Sequence, residues 1–156
     1  MSIKEAMSRF TTGVTVVTTH FQGQDWGMTC NSFNTVSLEP AMVLWSIRKE
    51  ATSHQAFTQS GSYLVNVLQS DQKDTAMRFA SGPQAERFVG QACERTDHGN
   101  MKLHGSVAWF ECKLVQVVTA GDHDILIGEV LGYGSREGDG LVYANRHFGV
   151  LTAFAS

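Results

Sequence analysis

Apolar positions along the first third of the chain change period several times, and each change marks an element. Ile3, Ala6, Met7 and Phe10 recur at i, i+3, i+4 and i+7, with Ser2 three residues before Glu5. That spacing predicts a short amphipathic helix with a capping box, ended by Gly13. The β-branched run VTVVTTHF predicts a strand, QGQD a turn, and WGMTCNSF the returning strand of a hairpin. AMVLWSI is continuously apolar and predicts a strand covered on both faces. In RKEATSHQAFTQSG the period lengthens again. Thr52 and Gln55 have capping-box spacing, Ala56 and Phe57 form the apolar side, and Gly61 stands where a short helix would end.

SYLVNVL predicts another strand, and Ser70-Asp71 cap a helix that carries Ala76, Phe79 and Ala80 and stops at Gly82-Pro83. Residues 84–105 are polar and aperiodic, which predicts a long surface loop. Beyond Ser106 strand patterns return as VAWFECKLVQVVT, a turn at AGD, HDILIGEVLGYG, a Gly-rich turn at SREGDG, and LVYANRHFGVL. Some six or seven strands joined mostly by hairpin turns, with a few short helices, predict a mainly β antiparallel barrel with peripheral helices at its rim. No GxGxxG follows the first strand, so a dinucleotide-binding βαβ domain is not expected.

Composition narrows the class. A chain of 156 residues, 42% hydrophobic with 2 Pro, is expected to be a single domain over 1–156 with a real core. The net charge of −3 and the scattered bases argue against nucleic acid and against anionic membrane as partners. No apolar run approaches the ~18 residues of a membrane span, and the first ten residues lack the apolar centre of a signal peptide, so a cytoplasmic location is expected. The three cysteines are widely spaced and the six histidines include no HExxH, which predicts reduced thiols and no metal.

Four stretches offer chemistry. GMTCNSFNTVSLEP gathers Thr29, Asn31, Ser32, Asn34, Thr35 and Ser37 beside a strand, a wall that lets a planar hydrogen-bonding heterocycle or a phosphate come close. A solvent-facing strand uses the same residues. SIRKEATS sets Arg48 and Lys49 before the helix start at Thr52-Ser53, which reads as an anion site or as a capped surface helix with two solvated bases. In AGDHDILIGEV, His123 shares a strand face with Ile125 and Ile127. The ring then sits at the barrel mouth above an apolar floor, placed to move a proton, or is a hydrogen-bonded structural histidine beside a turn. YANRHF adds Tyr143, Arg146 and His147. There is no GxSxG and no P-loop, and only Lys113 flanks Cys112 with positive charge, so neither a serine hydrolase nor a thiol nucleophile is supported.

In order, RFTTGVTVVTT, GMTCNSFNTVSLEPAMVLWSI, ATSHQAFTQSGSYLVNVL, QKDTAMRFASG, GDHDILIGEV and LVYANRHF resemble the flavin reductase family. Its members are small split-barrel proteins that include reductase components of two-component aromatic monooxygenases. Gly121-Asp122-His123 followed by Gly128-Glu129-Val130 carries the sharpest part of the likeness. The resemblance implies a homodimeric Greek-key split β-barrel that binds FMN or FAD and passes hydride to it from NADH or NADPH. It implies that Thr29, Cys30, Asn31 and Ser32 line the isoalloxazine and ribityl chain, and that Ser46, Ala51, Thr52 and Ser53 hold the phosphate end. His123 becomes the catalytic residue beside flavin and nicotinamide, with Tyr143 and Arg146 near the flavin or the nicotinamide nucleotide. The activity so implied is an NAD(P)H:flavin oxidoreductase that supplies reduced flavin to a monooxygenase. Two other functions fit the same architecture. One is an electron carrier with tightly held FMN, like a flavoredoxin or ferric reductase; the other is a non-catalytic flavin- or tetrapyrrole-binding module.

Overall fold

A computed structural model of the protein describes residues 1–155. In chain order the elements are α1 (Ile3–Ser8), β1 (Thr12–Gly13), β2 (Thr15–Phe21), β3 (Gln24–Cys30), β4 (Asn34–Leu38) and β5 (Ala41–Arg48). Next come α2 (His54–Gln59), β6 (Ser62–Val67), α3 (Lys73–Ala80), α4 (Gln84–Arg87), β7 (Cys93–Arg95) and β8 (Met101–Leu103). The chain closes with β9 (Ala108–Ala120), β10 (His123–Ser135), β11 (Leu141–Ala144) and β12 (His147–Val150). The architecture is mainly β, as expected. An antiparallel seven-stranded sheet runs in the order β3-β2-β6-β9-β10-β5-β4, with β1-β11-β12 and β7-β8 as smaller sheets.

The pattern of burial explains the order. β2 is covered on both faces because Val17 enters one cluster, with Val43, Trp45, Ile47, Phe57, Tyr63 and Leu126, while Val16 enters a second beneath α3, with Leu68, Phe79 and Leu141. β5, the strand expected to be doubly covered, alternates instead. Val43, Trp45 and Ile47 are buried, whereas Met42, Leu44 and Ser46 on the other face are only half-covered. Trp45 anchors the first cluster, with Phe57 edge-on at 4.9 Å and Tyr63 at 5.9 Å between ring centroids.

Three local expectations change. The capping box at Ser2 and Glu5 forms, but α1 stops at Ser8 and Gly13 lies in β1. Neither Thr52 nor Ser70-Asp71 caps a helix. α2 starts after Ser53, α3 starts after Gln72, and neither has a side-chain cap. The predicted loop over 84–105 contains α4 and the β7-β8 hairpin. Three-residue strands carry no readable period, and this hairpin is held by distant partners. The Thr18 hydroxyl donates to the Met101 carbonyl at 2.8 Å, and the Asn66 carboxamide oxygen accepts from the Leu103 N–H at 2.9 Å. Arg95 forks onto Asp25 at 2.8 and 2.9 Å and holds that carboxyl below its ordinary range. Buried Glu111 accepts from the Thr96 hydroxyl and, at 3.0 Å, from the Asn100 amide.

Candidate functional site

β3 ends where three parts of the fold meet, and two cavities flank that end. The first, about 420 Å³, is lined by Thr29 and Cys30 on β3 and Asn31 just after it, by Met77 and Ala80 on α3 and Ser81 just after it, and by Tyr143, Arg146 and Phe148 on the β11-β12 hairpin. The second, about 460 Å³, lies between α1 and the β3-β4 link, with Met7, Phe10, Thr12, Asn31, Ser32 and Phe33 in its wall. Asn31 borders both. The hairpin is brought to this place by β1, whose Thr12 pairs with Tyr143, and by Asn145, whose N–H donates to the Ser8 carbonyl at 2.8 Å. Asn145 and Arg146 form its tight turn with φ of 52° and 65°, which presents Arg146 at the cavity lip. Tyr143 packs against Phe148 at 5.1 Å.

The structure thus unites Thr29, Cys30, Asn31, Tyr143 and Arg146, which are more than a hundred residues apart in sequence. It gives the hydroxyls different work from that expected. The Thr29 hydroxyl donates to the Ala76 carbonyl at 2.6 Å and so fastens β3 to α3. The Ser32 hydroxyl accepts from the Ser46 N–H at 2.9 Å and donates to the Ser46 carbonyl at 3.2 Å, which fastens the β3-β4 link to β5. Two of the small polar residues therefore hold the wall together.

The expected phosphate residues and His123 lie outside both cavities. Ser53 is buried, with its hydroxyl 3.6 Å from the Met28 sulfur; Ala51 packs against the first core cluster and Thr52 is exposed. A smaller cavity of about 220 Å³ is bounded by Arg48, Lys49, Glu50 and Asp122 beside this loop. The loop is fixed from β10. His54 Nε2 lies 2.7 Å from Asp124, which also accepts from the Thr119 hydroxyl at 2.9 Å, and both bonds hold the Asp124 carboxyl below its usual range.

His123 does share a face with Ile125 and Ile127, but that face points away from the core. Asp124, Leu126 and Gly128 point inward. The half-exposed ring of His123 stands opposite Arg48 in the β5-β10 ladder, on the same outward face as Ser46, with Nδ1 2.7 Å from Asp122. That contact lowers the Asp122 carboxyl below its usual range. Sequence reasoning missed Met77, Ala80 and Ser81. All three lie in the QKDTAMRFASG segment of the family-like pattern, yet nothing in it indicated which way it would face.

The cysteines bear on the chemistry. Cys30, 8% exposed, belongs to the cavity wall, where its sulfur lies 3.3 Å from the Thr15 hydroxyl. Cys112 is fully buried and desolvation pushes its thiol up to about 12, so it is no nucleophile at neutral pH. Among the described residues no cluster of His, Cys, Asp or Glu is placed to hold a metal ion, and no helix is long and apolar enough to cross a membrane.

Residues 7–152 match the family described as flavin reductase like domain. The chain is 40% identical to an FMN reductase (NADH) of Agrobacterium fabrum over 95% of this chain and 84% of that one. It is 41% identical to the reductase component of a flavin-dependent trigonelline monooxygenase of Acinetobacter baylyi, over 90% of this chain but 46% of that longer protein. Among solved structures, the NADH:FAD oxidoreductase of Streptomyces globisporus in complex with NAD and FAD fragments superposes with a TM-score of 0.94. It is 31% identical, over 99% of this chain and 93% of that one.

Proposed function

The chain belongs to the flavin reductase like domain family, and on that footing we propose that the cleft between β3 and α3 receives the flavin ring, with the nicotinamide nucleotide entering past Arg146. The protein is an NAD(P)H-dependent flavin oxidoreductase that transfers hydride to FMN or FAD. One observation carries the assignment of the site: Thr29, Cys30 and Asn31 meet Tyr143 and Arg146 around a single open cavity. The residues fit the group. Small side chains on β3 leave room for a planar ring, and Asn31 offers a carboxamide at the border of two cavities.

When bound, the flavin supplies the hydride-accepting ring, and the protein's task is to orient both ligands and exclude misaligned encounters. Arg146 contributes the positive charge at the lip. No carboxylate pairs with it among the described residues, so it is free to meet a ligand phosphate. Ser46 acts behind the wall, by fixing Ser32 through two hydrogen bonds. The small cavity bounded by Arg48, Lys49, Glu50 and Asp122, beside the loop of Ala51, Thr52 and Ser53 that His54 and Asp124 pin, is the second place for a phosphate.

The chain is further inferred to act as a homodimer. Met42, Leu44, Ile125, Ile127 and Val118 are half-covered on the outward face of β5, β10 and β9. Packing a second copy there brings His123 against a partner chain, where its ring can orient nicotinamide. Light scattering across a dilution series is expected to give twice the 17.1 kDa chain mass, and a monomer at micromolar concentration would discard the dimer. Reduced flavin released from the cleft is consumed by a monooxygenase partner. The relatives named as reductase components support that fate.

The deciding assay is NADH and NADPH oxidation by the purified chain with and without added FMN, FAD or riboflavin. Turnover that depends on added flavin is expected. A yellow protein reduced once and then stalled points to an electron carrier, and no oxidation at all leaves a binding module. In the same assay His123→Ala is expected to lower turnover or raise the KM for NADH by ~10-fold or more, the scale of a lost general acid–base or orienting contact. Unchanged values remove His123 from the mechanism.

A further inference from the structure

The cleft has two walls that belong to different elements. β3 supplies Thr29 and Cys30, and the end of α3 with its following turn supplies Met77, Ala80 and Ser81. Behind the cavity, outside its lining, lies the half-buried side chain of Arg87. Its Nη1 donates to the Gly27 carbonyl on β3 at 2.8 Å and to the Phe79 carbonyl on α3 at 2.9 Å. Its Nη2 and Nε donate to the Gly82 carbonyl in the turn at 3.1 and 3.3 Å. No carboxylate pairs with Arg87 among the described residues, so its donors are directed at backbone oxygens of both walls.

The surroundings reinforce this one junction. The Gly27 N–H donates to the Gln84 side-chain oxygen at 3.2 Å. A Cβ at Gly27 would come within 2.7 Å of the Phe79 ring and 3.0 Å of Phe88, so β3 and α3 approach as closely as a bare backbone permits. Arg78 donates to the carbonyls of Glu86 and Arg87 at 2.7 and 3.0 Å and holds α4 against α3. Only a planar fork of donors reaches three carbonyls in fixed directions. A lysine ammonium keeps the charge and loses the geometry.

We propose that Arg87 is a positioning residue that sets the spacing between β3 and the α3 turn, and through that spacing the affinity of the cleft for flavin. The proposal rests on the reading that this cleft holds the flavin ring. A guanidinium clamped on carbonyls makes the width of the site independent of the ligand, which preorganises the walls at no cost on binding. The cavity residues then touch flavin while Arg87 acts through them.

Steady-state kinetics and flavin fluorescence titration of Arg87→Lys, Arg87→Met, Gln84→Met and Asn31→Ala, with thermal unfolding of each, test the idea. Arg87→Lys and Arg87→Met are both expected to raise the flavin KM and Kd by ~10-fold, as loss of charge-assisted bonds implies, with kcat at saturating flavin within ~3-fold of wild type. Gln84→Met is expected to shift the flavin KM in the same direction by a smaller factor. An Arg87 that serves stability alone lowers the melting temperature and leaves the flavin KM unchanged. That result, with Asn31→Ala still weakening flavin, overturns the proposal. If Asn31→Ala also leaves flavin affinity unchanged, the assignment of the cleft fails, and the proposal fails with it. If the Arg87 variants do not fold, Gln84→Met decides by the same criterion.

Discussion

Gly128→Val is expected to destabilise the protein by about 3 kcal/mol or more, and Gly128→Ala by about 1–3 kcal/mol, the range for overpacking a filled core. Gly128 has an ordinary backbone conformation, so space is the constraint. A Cβ there would overlap the Tyr63 hydroxyl, lie 2.8 Å from Tyr63 Cζ and 3.0 Å from the Cys112 Cβ. Neither neighbour can yield. Tyr63 is fully buried with its ring edge against Trp45, and Cys112 is fully buried in the adjoining strand. Urea unfolding of the two variants measures the effect directly. A Gly128→Ala midpoint equal to wild type would show that the strands shift without cost. Because the closest overlap is with the Tyr63 hydroxyl oxygen, adding Tyr63→Phe is expected to restore part of the loss, the approach to Cζ and to the Cys112 Cβ remaining, and the double-mutant cycle reports the coupling.

Arg146→Met is expected to raise the KM for NADH by ~10- to 100-fold, the equivalent of losing a hydrogen bond to a charged group, with kcat reduced no more than a few-fold. The argument is electrostatic. Arg146 lies at the lip of a cavity otherwise lined by neutral side chains, and its left-handed turn directs it there. On the proposed reading of the cleft, a phosphate entering it meets that charge first. Raising the salt concentration should therefore weaken NADH binding to the wild type and leave the variant nearly indifferent. Comparing FMN with riboflavin, which lacks the phosphate, separates the two ligands. An FMN-specific loss with an unchanged NADH KM would move Arg146 from the nucleotide to the flavin phosphate and sink the assignment made here.

Element type was legible from period and turn chemistry where contacts are local. The β2-β3 hairpin, the Gly61 terminus after α2 and the Gly82-Pro83 stop after α3 all form, with φ of 85° at both glycines. The capping box at Ser2 could be read because both partners lie within four residues. The β7-β8 hairpin could not, since its bonds to Thr18 and Asn66 join residues 83 and 37 apart in sequence. The candidate site divides in the same way. The small polar run at Thr29–Ser32 and the charge at Arg146 were visible as residue types, but their meeting around one cavity depends on the pairing of β1 with β11.

By itself the sequence determined that the fold is mainly β with short helices, where the longer strands run, and which small, neutral or cationic residues are available to a planar anionic ligand. Tertiary structure decided what each of those residues does. It spent the Thr29 and Ser32 hydroxyls on neighbouring elements, turned His123 to the outward face with Ser46, and made Gly27 and Gly128 sites of close packing. The physical reason is range. Helix caps, turns and strand alternation arise from interactions over two to four residues, whereas cavity walls, clamps such as Arg87 and the choice of buried face arise from which distant strands pair and what then lies across the gap.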